Sequence, residues 1–301
     1  MRIKFKITML FILLALGAAA CAPQPATGTP HKLQITVSVL PQKYFVERIG
    51  GDDVLVNVMV GPGESPHSYE PKASQMRALS QSVLYLMIGV EFENAWIQRF
   101  ADANPNMRLL DLSTDIDKLP APAHDHDDLD DEHGIDEEYQ DGLDPHIWTS
   151  PELVKVMAEK IYTQLVELNP QRADYYQANL AAFLADIEAL QADIRAALAP
   201  LENRKFMVFH PAWGYFAREF GLQQVAIEIG GSEPSASQLA ALLDEARREG
   251  IRIIFAQPEF STRSAETIAR EIGGSVILIS PLEEDWLENL RSVAQSLADN
   301  L

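Results

Sequence analysis

Three of the seven histidines stand in settings that could serve metal chemistry. His67 lies in a Gly- and Pro-rich loop after an apolar run, His146 in the segment Asp-Pro-His-Ile-Trp, and His210 at the end of another apolar run. Taken singly, each is more commonly a hydrogen-bonded loop or core histidine. If the three imidazoles converge, they suit Zn²⁺, and a tetrahedral site then needs a fourth ligand, either water or a carboxylate.

Short apolar runs predict the elements that would hold these histidines. Near-continuous runs of this kind are typical of strands buried on both faces, as in parallel sheets covered by helices. They fall into two sets of four: 33–40, 54–60, 83–89 and 107–112, then 206–210, 224–229, 251–256 and 275–279. The sequence therefore predicts an α/β protein with two lobes. His67 lies in the loop after one predicted strand and His210 ends another, in opposite lobes, and ligands of open α/β sheets bind outside such strand ends.

A long helical stretch separates the two sets of strands. Residues 151–168 predict one helix, with Ser150 as its N-cap and Pro151 at its first position. Residues 171–198 predict a second helix, which we interpret as a rigid connector because no heptad pattern is sustained. The predicted organisation is a signal peptide at 1–20, a tether at 21–32, an N-terminal lobe at 33–168, a connecting helix at 169–202 and a C-terminal lobe at 203–301.

The N-terminus predicts export. Basic residues, an apolar run from Ile7 to Leu16 and small residues before Cys21 are typical of a bacterial signal peptide. The apolar run is too short to span a bilayer permanently. The small residues ending in Cys21 resemble a lipobox, in which Cys21 becomes the lipidated first residue of a protein in the periplasm or on the outer face of the cytoplasmic membrane. An ordinary signal peptide with an incidental cysteine is the alternative.

The chain is strongly acidic, with 44 Asp and Glu against 24 Lys and Arg and a net charge of −20. Such a surface repels phosphates, which argues against nucleic acid as a partner. One segment, 123–142, is compositionally unlike the rest because it combines acidic residues with His124, His126 and His133. It cannot form a core or a periodic element, so we interpret it as an insertion in the first lobe.

The segments around the three histidines resemble the cluster A-I solute-binding proteins of ABC transporters, which deliver zinc or manganese to a membrane permease. The matching motifs are Gly-Pro-Gly-x-x-Pro-His-Ser-Tyr-Glu-Pro at 61–71, Asp-Pro-His-Ile-Trp at 144–148 and His-Pro-Ala-Trp-Gly-Tyr-Phe-Ala at 210–217. The resemblance runs from about Leu33 to the C-terminus. It implies two (β/α)₄-like lobes with four-stranded, mainly parallel sheets, joined by a long helix. It also implies one metal in the interlobe cleft, with His67, His146 and His210 as ligands, in a monomer that serves a zinc permease.

The residue at position 210 favours zinc over manganese. Manganese members of the family resemble one another in carrying a carboxylate at this position, whereas nitrogen ligands favour Zn²⁺. A manganese receptor of the same family remains the alternative. The acidic loop resembles that of the zinc subgroup, so His124, His126 and His133 are candidates for a low-affinity zinc collector. A solvated acidic insertion without a specific role is the other interpretation of the loop.

At the position of the fourth ligand this chain departs from the family that it resembles. The family often supplies an aspartate from an Asp-Pro-Leu motif after the last strand, and this chain has Ser280-Pro281-Leu282 there. A serine hydroxyl is a poor zinc ligand. We therefore expect water at the fourth position, with Glu228, Glu259 and Ser280 as weaker candidates.

Two other classes of function must be weighed. Three histidines and a water also describe a catalytic zinc in a hydrolase or hydratase. Against this, the chain lacks an H-E-x-x-H helix and a G-x-S-x-G elbow, and we expect no carboxylate beside a ligand as a general base. A surface adhesin is the second rival, but neither repeats nor an aromatic patch marks an adhesive surface. The sequence therefore favours a binding protein over an enzyme.

Overall fold

The structure, a computed structural model, describes residues 32–121, 142–228, 234–260 and 262–301. The predicted signal peptide, Cys21 and most of the acidic loop, with its three histidines, lie outside these residues. In the described ranges no helix is both long and apolar enough to cross a membrane. From Lys32 to Leu301 the chain forms one compact unit.

The first sheet contains four parallel strands in the order β2-β1-β3-β4. Its central strand β1 carries Ile35, Val37 and Val39, all fully buried, which is why this run is almost entirely apolar. The elements are β1 Leu33–Val39, α1 Leu40–Gly50, β2 Val54–Val60, α2 Ala73–Leu79, β3 Leu84–Met87, α3 Glu91–Ala103 and β4 Arg108–Asp111.

The second sheet repeats this topology, with parallel strands in the order β6-β5-β7-β8. The α/β fold with two four-stranded parallel sheets is therefore confirmed. Most of the strands are shorter than predicted; β5, for example, stops two residues before His210. The elements are β5 Lys205–Val208, α6 Gly214–Phe220, β6 Gln223–Ala226, α7 Ala236–Arg248, β7 Ile253–Ala256, α8 Arg263–Glu271, β8 Ser275–Leu278 and α9 Trp286–Asn300.

Two long helices, α4 Pro151–Leu168 and α5 Ala173–Leu198, link the sheets. The predicted cap is confirmed, since the Ser150 hydroxyl accepts a hydrogen bond from the Leu153 N–H at 3.3 Å. Helix α5 packs against α1, α4 and α9. Its buried apolar side chains recur every three or four residues and form one stripe: Tyr176, Leu180, Phe183, Ile187, Leu190, Ile194 and Leu198. The helix is therefore part of the core as well as a connection.

One hydrophobic cluster runs through both halves of the protein, that is, through the first sheet and the second sheet, each with its helices. At its centre Phe45 of α1 meets Trp286 of α9 edge to face, with ring centroids 5.2 Å apart, and Phe183 of α5 lies 5.9 Å from Phe45. Buried aromatic pairs of this geometry contribute beyond the area they bury. A smaller second cluster, which includes Met207 and Ile254, lies within the second sheet and its helices. The shared cluster fixes the two sheet edges that carry the histidines.

Candidate metal centre

His67 is held by the loop between β2 and α2. The Glu64 carboxylate closes the start of this loop by accepting a hydrogen bond from the Gly61 N–H at 3.0 Å. Gly63 adopts a φ of 73°, a left-handed conformation that glycine reaches at little cost. The Pro66 carbonyl then accepts a hydrogen bond from the Phe92 N–H at 3.3 Å, which ties the loop to the start of α3.

His146 precedes α4, yet side chains of the second half hold its segment. The Tyr215 hydroxyl donates to the Asp144 carbonyl at 2.7 Å. The Trp148 indole N–H donates to the Pro281 carbonyl, and the Trp286 indole N–H donates to the Trp148 carbonyl, both at 2.8 Å. Both indoles are essentially buried. Because buried hydrogen bonds of this kind are costly to break, the position of His146 is firmly defined.

His210 lies two residues beyond the carboxyl end of β5 and is buried. The Phe209 N–H continues the strand pairing by donating to the Phe255 carbonyl at 2.8 Å. The Gln257 side-chain amide donates to the His210 carbonyl at 3.4 Å. The backbone on both sides of this imidazole is therefore fixed to the neighbouring strand β7 and the residue that follows it.

These three histidines converge, although 143 residues separate His67 from His210. The Nε2 atoms of His67 and His210 lie 3.1 Å apart. One ring nitrogen from each of the three, including His146, lies within 4.8 Å of the others. Three nitrogens around one Zn²⁺ at ordinary bond lengths stand about 3.3 Å from each other. Small adjustments would bring these rings to that geometry.

A carboxylate contacts the Nδ1 atom of each ring. Asp144 lies 2.7 Å from His146, Glu228 lies 3.0 Å from His210, and Glu91 lies 3.0 Å from His67. Carboxylates in this position fix the tautomer and leave Nε2 for a metal. Carboxylates thus do lie beside all three ligands, but each of them pairs with a ring nitrogen and is not placed as a free general base.

The surroundings of the site shift the pKa values of His210 and His67 in opposite directions. Burial, with smaller contributions from the two other histidines, lowers the pKa of His210 to about 4 against the opposing effect of Glu228. Burial is the largest single effect on His67 and lowers its pKa, but the hydrogen bond to Glu91 and the charges of Glu91 and Glu228 together outweigh it, so the net shift is upward. Burial raises the pKa of Glu91, yet the pairing with His67 brings it down to about 2. His210 is thus a neutral imidazole at pH 7, the form that binds metal.

A small cavity opens from the three histidines. The remaining residues on its wall are Pro66, Trp148, Gln257, Glu259, Phe260, Pro281 and Leu282. Glu259 accepts a hydrogen bond from the Ser280 hydroxyl through Oε1, and its buried Oε2 has no partner among the described residues. Burial raises the pKa of Glu259. Of the three weaker candidates for the fourth ligand, Glu228 pairs with the Nδ1 of His210, and Ser280 contacts Glu259 and the Leu282 N–H.

Of the three carboxylates that support the ligands, only Glu228 was a candidate from the sequence, and for the different role of fourth ligand. Asp144 could have been found, because it stands two residues before His146 in a Pro-containing turn, where its Oδ1 also accepts the His146 backbone N–H at 2.9 Å. Glu91 carries no such signal, since it is brought to His67 only by the start of α3. Phe260, whose ring centroid lies 4.9 Å from that of His210, is also signalled by no motif.

Comparisons with known proteins show which proteins this chain resembles. The family model described as ZnuA, zinc-uptake complex component A, periplasmic, matches residues 35–300. The zinc-binding lipoprotein AdcA of Streptococcus pneumoniae serotype 4 is 28% identical over 281 residues, which cover 92% of this chain and 55% of AdcA. The chain therefore spans about half the length of that relative.

Two solved structures extend the comparison. A crystal structure of ZnuA is 46% identical, with a TM-score of 0.82, and the match covers 89% of this chain and 99% of that one. A ZnuA deletion mutant with zinc bound is 45% identical, with a TM-score of 0.80, and that match covers 89% and 98% of the two chains.

Proposed function

We propose that this chain, which belongs to the ZnuA family of periplasmic zinc-uptake components, is an extracytoplasmic receptor that binds one Zn²⁺. The family is a transport component and not an enzyme. The observation that carries the proposal is the convergence of His67, His146 and His210, each supported by its own carboxylate. A set of three pre-oriented imidazoles, two of them buried, is typical of zinc sites, and carboxylates paired with the opposite ring nitrogens raise the basicity of such ligands.

The donor atoms favour zinc over manganese as the cargo. All three converging groups are imidazoles, and no Asp or Glu of the described residues joins their cluster. Imidazole suits Zn²⁺, whereas Mn²⁺ prefers carboxylate and water oxygens and a higher coordination number. The short distances between the ring nitrogens also fit a small tetrahedral ion.

The remaining parts of the proposal follow from family membership and from the N-terminal sequence. The receptor would be a monomer anchored through a lipid on Cys21 and would deliver Zn²⁺ to the permease of an ABC transporter. His124, His126 and His133 would raise the zinc concentration near the site without forming part of it. The chain would divide into an N-terminal lobe at 33–168, a connecting helix at 169–202 and a C-terminal lobe at 203–301.

A metal titration tests the ligand set. His67→Ala, His146→Ala and His210→Ala are each titrated against a chromogenic zinc chelator, with His31→Ala, in the predicted tether, as the matched control. Removing one of three nitrogen ligands should abolish tight one-to-one binding in each of the first three variants. Full affinity in any of them would remove that residue from the site.

The choice of metal is tested on the wild-type protein with zinc and manganese in parallel calorimetric titrations. The proposal requires tight binding of one zinc per chain and much weaker binding of manganese. If manganese binds as tightly as zinc or more tightly, the protein is a manganese receptor. If neither metal binds, the proposed function itself is wrong.

A further inference from the structure

We propose that Glu259 and Gln257 hold the water that completes the zinc coordination, and that Ser280 positions Glu259 for this role. The inference rests on the proposed function and adds the group that the three histidines leave open. Both residues follow β7, and both line the cavity beside the imidazoles. The cluster of possible ligand atoms contains the three histidines but not Glu259. Glu259 therefore acts through a water and not as a direct ligand.

Two buried acceptor atoms belong to residues that line the cavity. Glu259 Oε2 and Gln257 Oε1 are buried and have no hydrogen-bond partner among the described residues. Leaving such an acceptor unpaired costs about 1–3 kcal/mol. A zinc-bound water has two O–H groups to donate, and its bond to the cation makes it a strong donor. One water at the fourth position would therefore satisfy both acceptors.

Ser280 fixes the carboxylate in this orientation. Its hydroxyl has a single proton, which it donates to Glu259 Oε1, so that Oε2 is left for the cavity. Ser280 is itself held by the Leu282 N–H, which donates to its hydroxyl at 3.0 Å, and by the Asn289 side-chain amide, which donates to its carbonyl at 2.8 Å. The serine thus orients the carboxylate of Glu259, which supplies the negative charge beside the cavity.

The test uses Glu259→Gln, which keeps the shape and removes the charge. Glu283→Gln is the matched control, because Glu283 is an exposed carboxylate close enough to act on Glu259 but does not line the cavity. We expect Glu259→Gln to weaken zinc binding about 10- to 100-fold, the usual effect of losing an outer-shell partner, and Glu283→Gln to have little effect. Thermal unfolding of the metal-free proteins checks that each variant folds.

Cobalt substitution gives a readout that a loss of stability would not produce. In the Co²⁺-loaded wild type the nearby carboxylate repels anions, so the visible spectrum should not respond to azide. In Glu259→Gln azide should displace the water and shift the spectrum. Ser280→Ala should show a smaller change of the same kind. It should add nothing in the double variant, because both substitutions act on one interaction.

The outcomes separate the two proposals. If the wild type binds no zinc, the proposed function fails. If the wild type binds zinc and Glu259→Gln matches Glu283→Gln in affinity and azide response, only the present inference is overturned. X-ray absorption that shows a carboxylate bound directly to the metal would also overturn it.

Discussion

Replacing the carboxylate that pairs with each imidazole by its amide would show how far the burial of that carboxylate determines its contribution to zinc affinity. The three substitutions are Asp144→Asn, Glu228→Gln and Glu91→Gln. Each keeps an acceptor oxygen for the ring N–H but removes the negative charge that raises the basicity of the imidazole. The three pairs have nearly equal lengths, at 2.7, 3.0 and 3.0 Å. They therefore differ mainly in their exposure to water.

The expected magnitudes follow from that difference. The Asp144 and Glu228 side chains are 5% and 12% exposed, whereas that of Glu91 is 47% exposed. For the two buried carboxylates we expect zinc binding to weaken about 10- to 100-fold. This corresponds to about 1.4–2.7 kcal/mol. Pairs as exposed as Glu91 contribute about 0–1 kcal/mol, so its loss should weaken binding by about fivefold or less.

Competition with a chromogenic chelator at pH 7.5 measures all three affinities. Glu188→Gln, an exposed carboxylate on α5, is the control for the loss of one charge from a very acidic protein. The loss of zinc affinity should be larger for Asp144→Asn and Glu228→Gln than for Glu91→Gln, and Glu91→Gln should lie near the control. If Glu91→Gln loses as much affinity as Glu228→Gln, burial does not set the contribution of these residues.

Two further predictions concern pH. Glu91 raises the pKa of His67, so protons compete with zinc for this imidazole as the pH falls. Glu91→Gln should therefore move the loss of zinc binding to lower pH. The same titration, repeated from pH 8 to pH 5, measures this shift. Burial raises the pKa of Glu93 to about 7, despite hydrogen bonds from the Ile88 and Gly89 N–H groups. An unfolded glutamate has a pKa of about 4.3, so the folded state holds the extra proton between these values. That stabilisation is complete below the unfolded pKa and is lost as the pH rises through 7. Between pH 5 and pH 8 the wild type should therefore lose about 2–3 kcal/mol more unfolding free energy in urea than Glu93→Gln, and equal slopes would contradict this.

Much of the fold could be predicted because its strands are buried on both faces. Runs such as 33–40 and 251–256 are apolar without alternation, which identifies them as central strands of covered parallel sheets. The positions of His67 and His210 beyond strand ends then followed from chain direction alone. Helix α4 could be delimited at its start because Ser150 and Pro151 carry a capping signal that depends only on neighbouring residues.

The assembly of the site could not be derived in the same way. The convergence of His146 with the other two histidines depends on Tyr215 and Trp286, which lie 69 and 140 residues further along the chain. No local pattern reports such contacts. The pairing of Glu91 with His67 likewise depends on contacts between distant segments, because the start of α3 must lie beside the loop that carries His67. The motif resemblance supplied the ligand set, whereas the residues themselves supplied only candidates.

The way the ligands are anchored divides the site unequally between the two halves of the protein. His210 belongs to the second half by chain position. His146 is also fixed to the second half, because its segment forms hydrogen bonds with Tyr215, Pro281 and Trp286. His67 is attached to the first half through the Pro66–Phe92 hydrogen bond and through Glu91, and its side chain is 28% exposed against 6% and 7% for His146 and His210. A metal bound by all three nitrogens would join the two halves directly, so that occupancy of the site and the position of the His67 loop are thermodynamically linked.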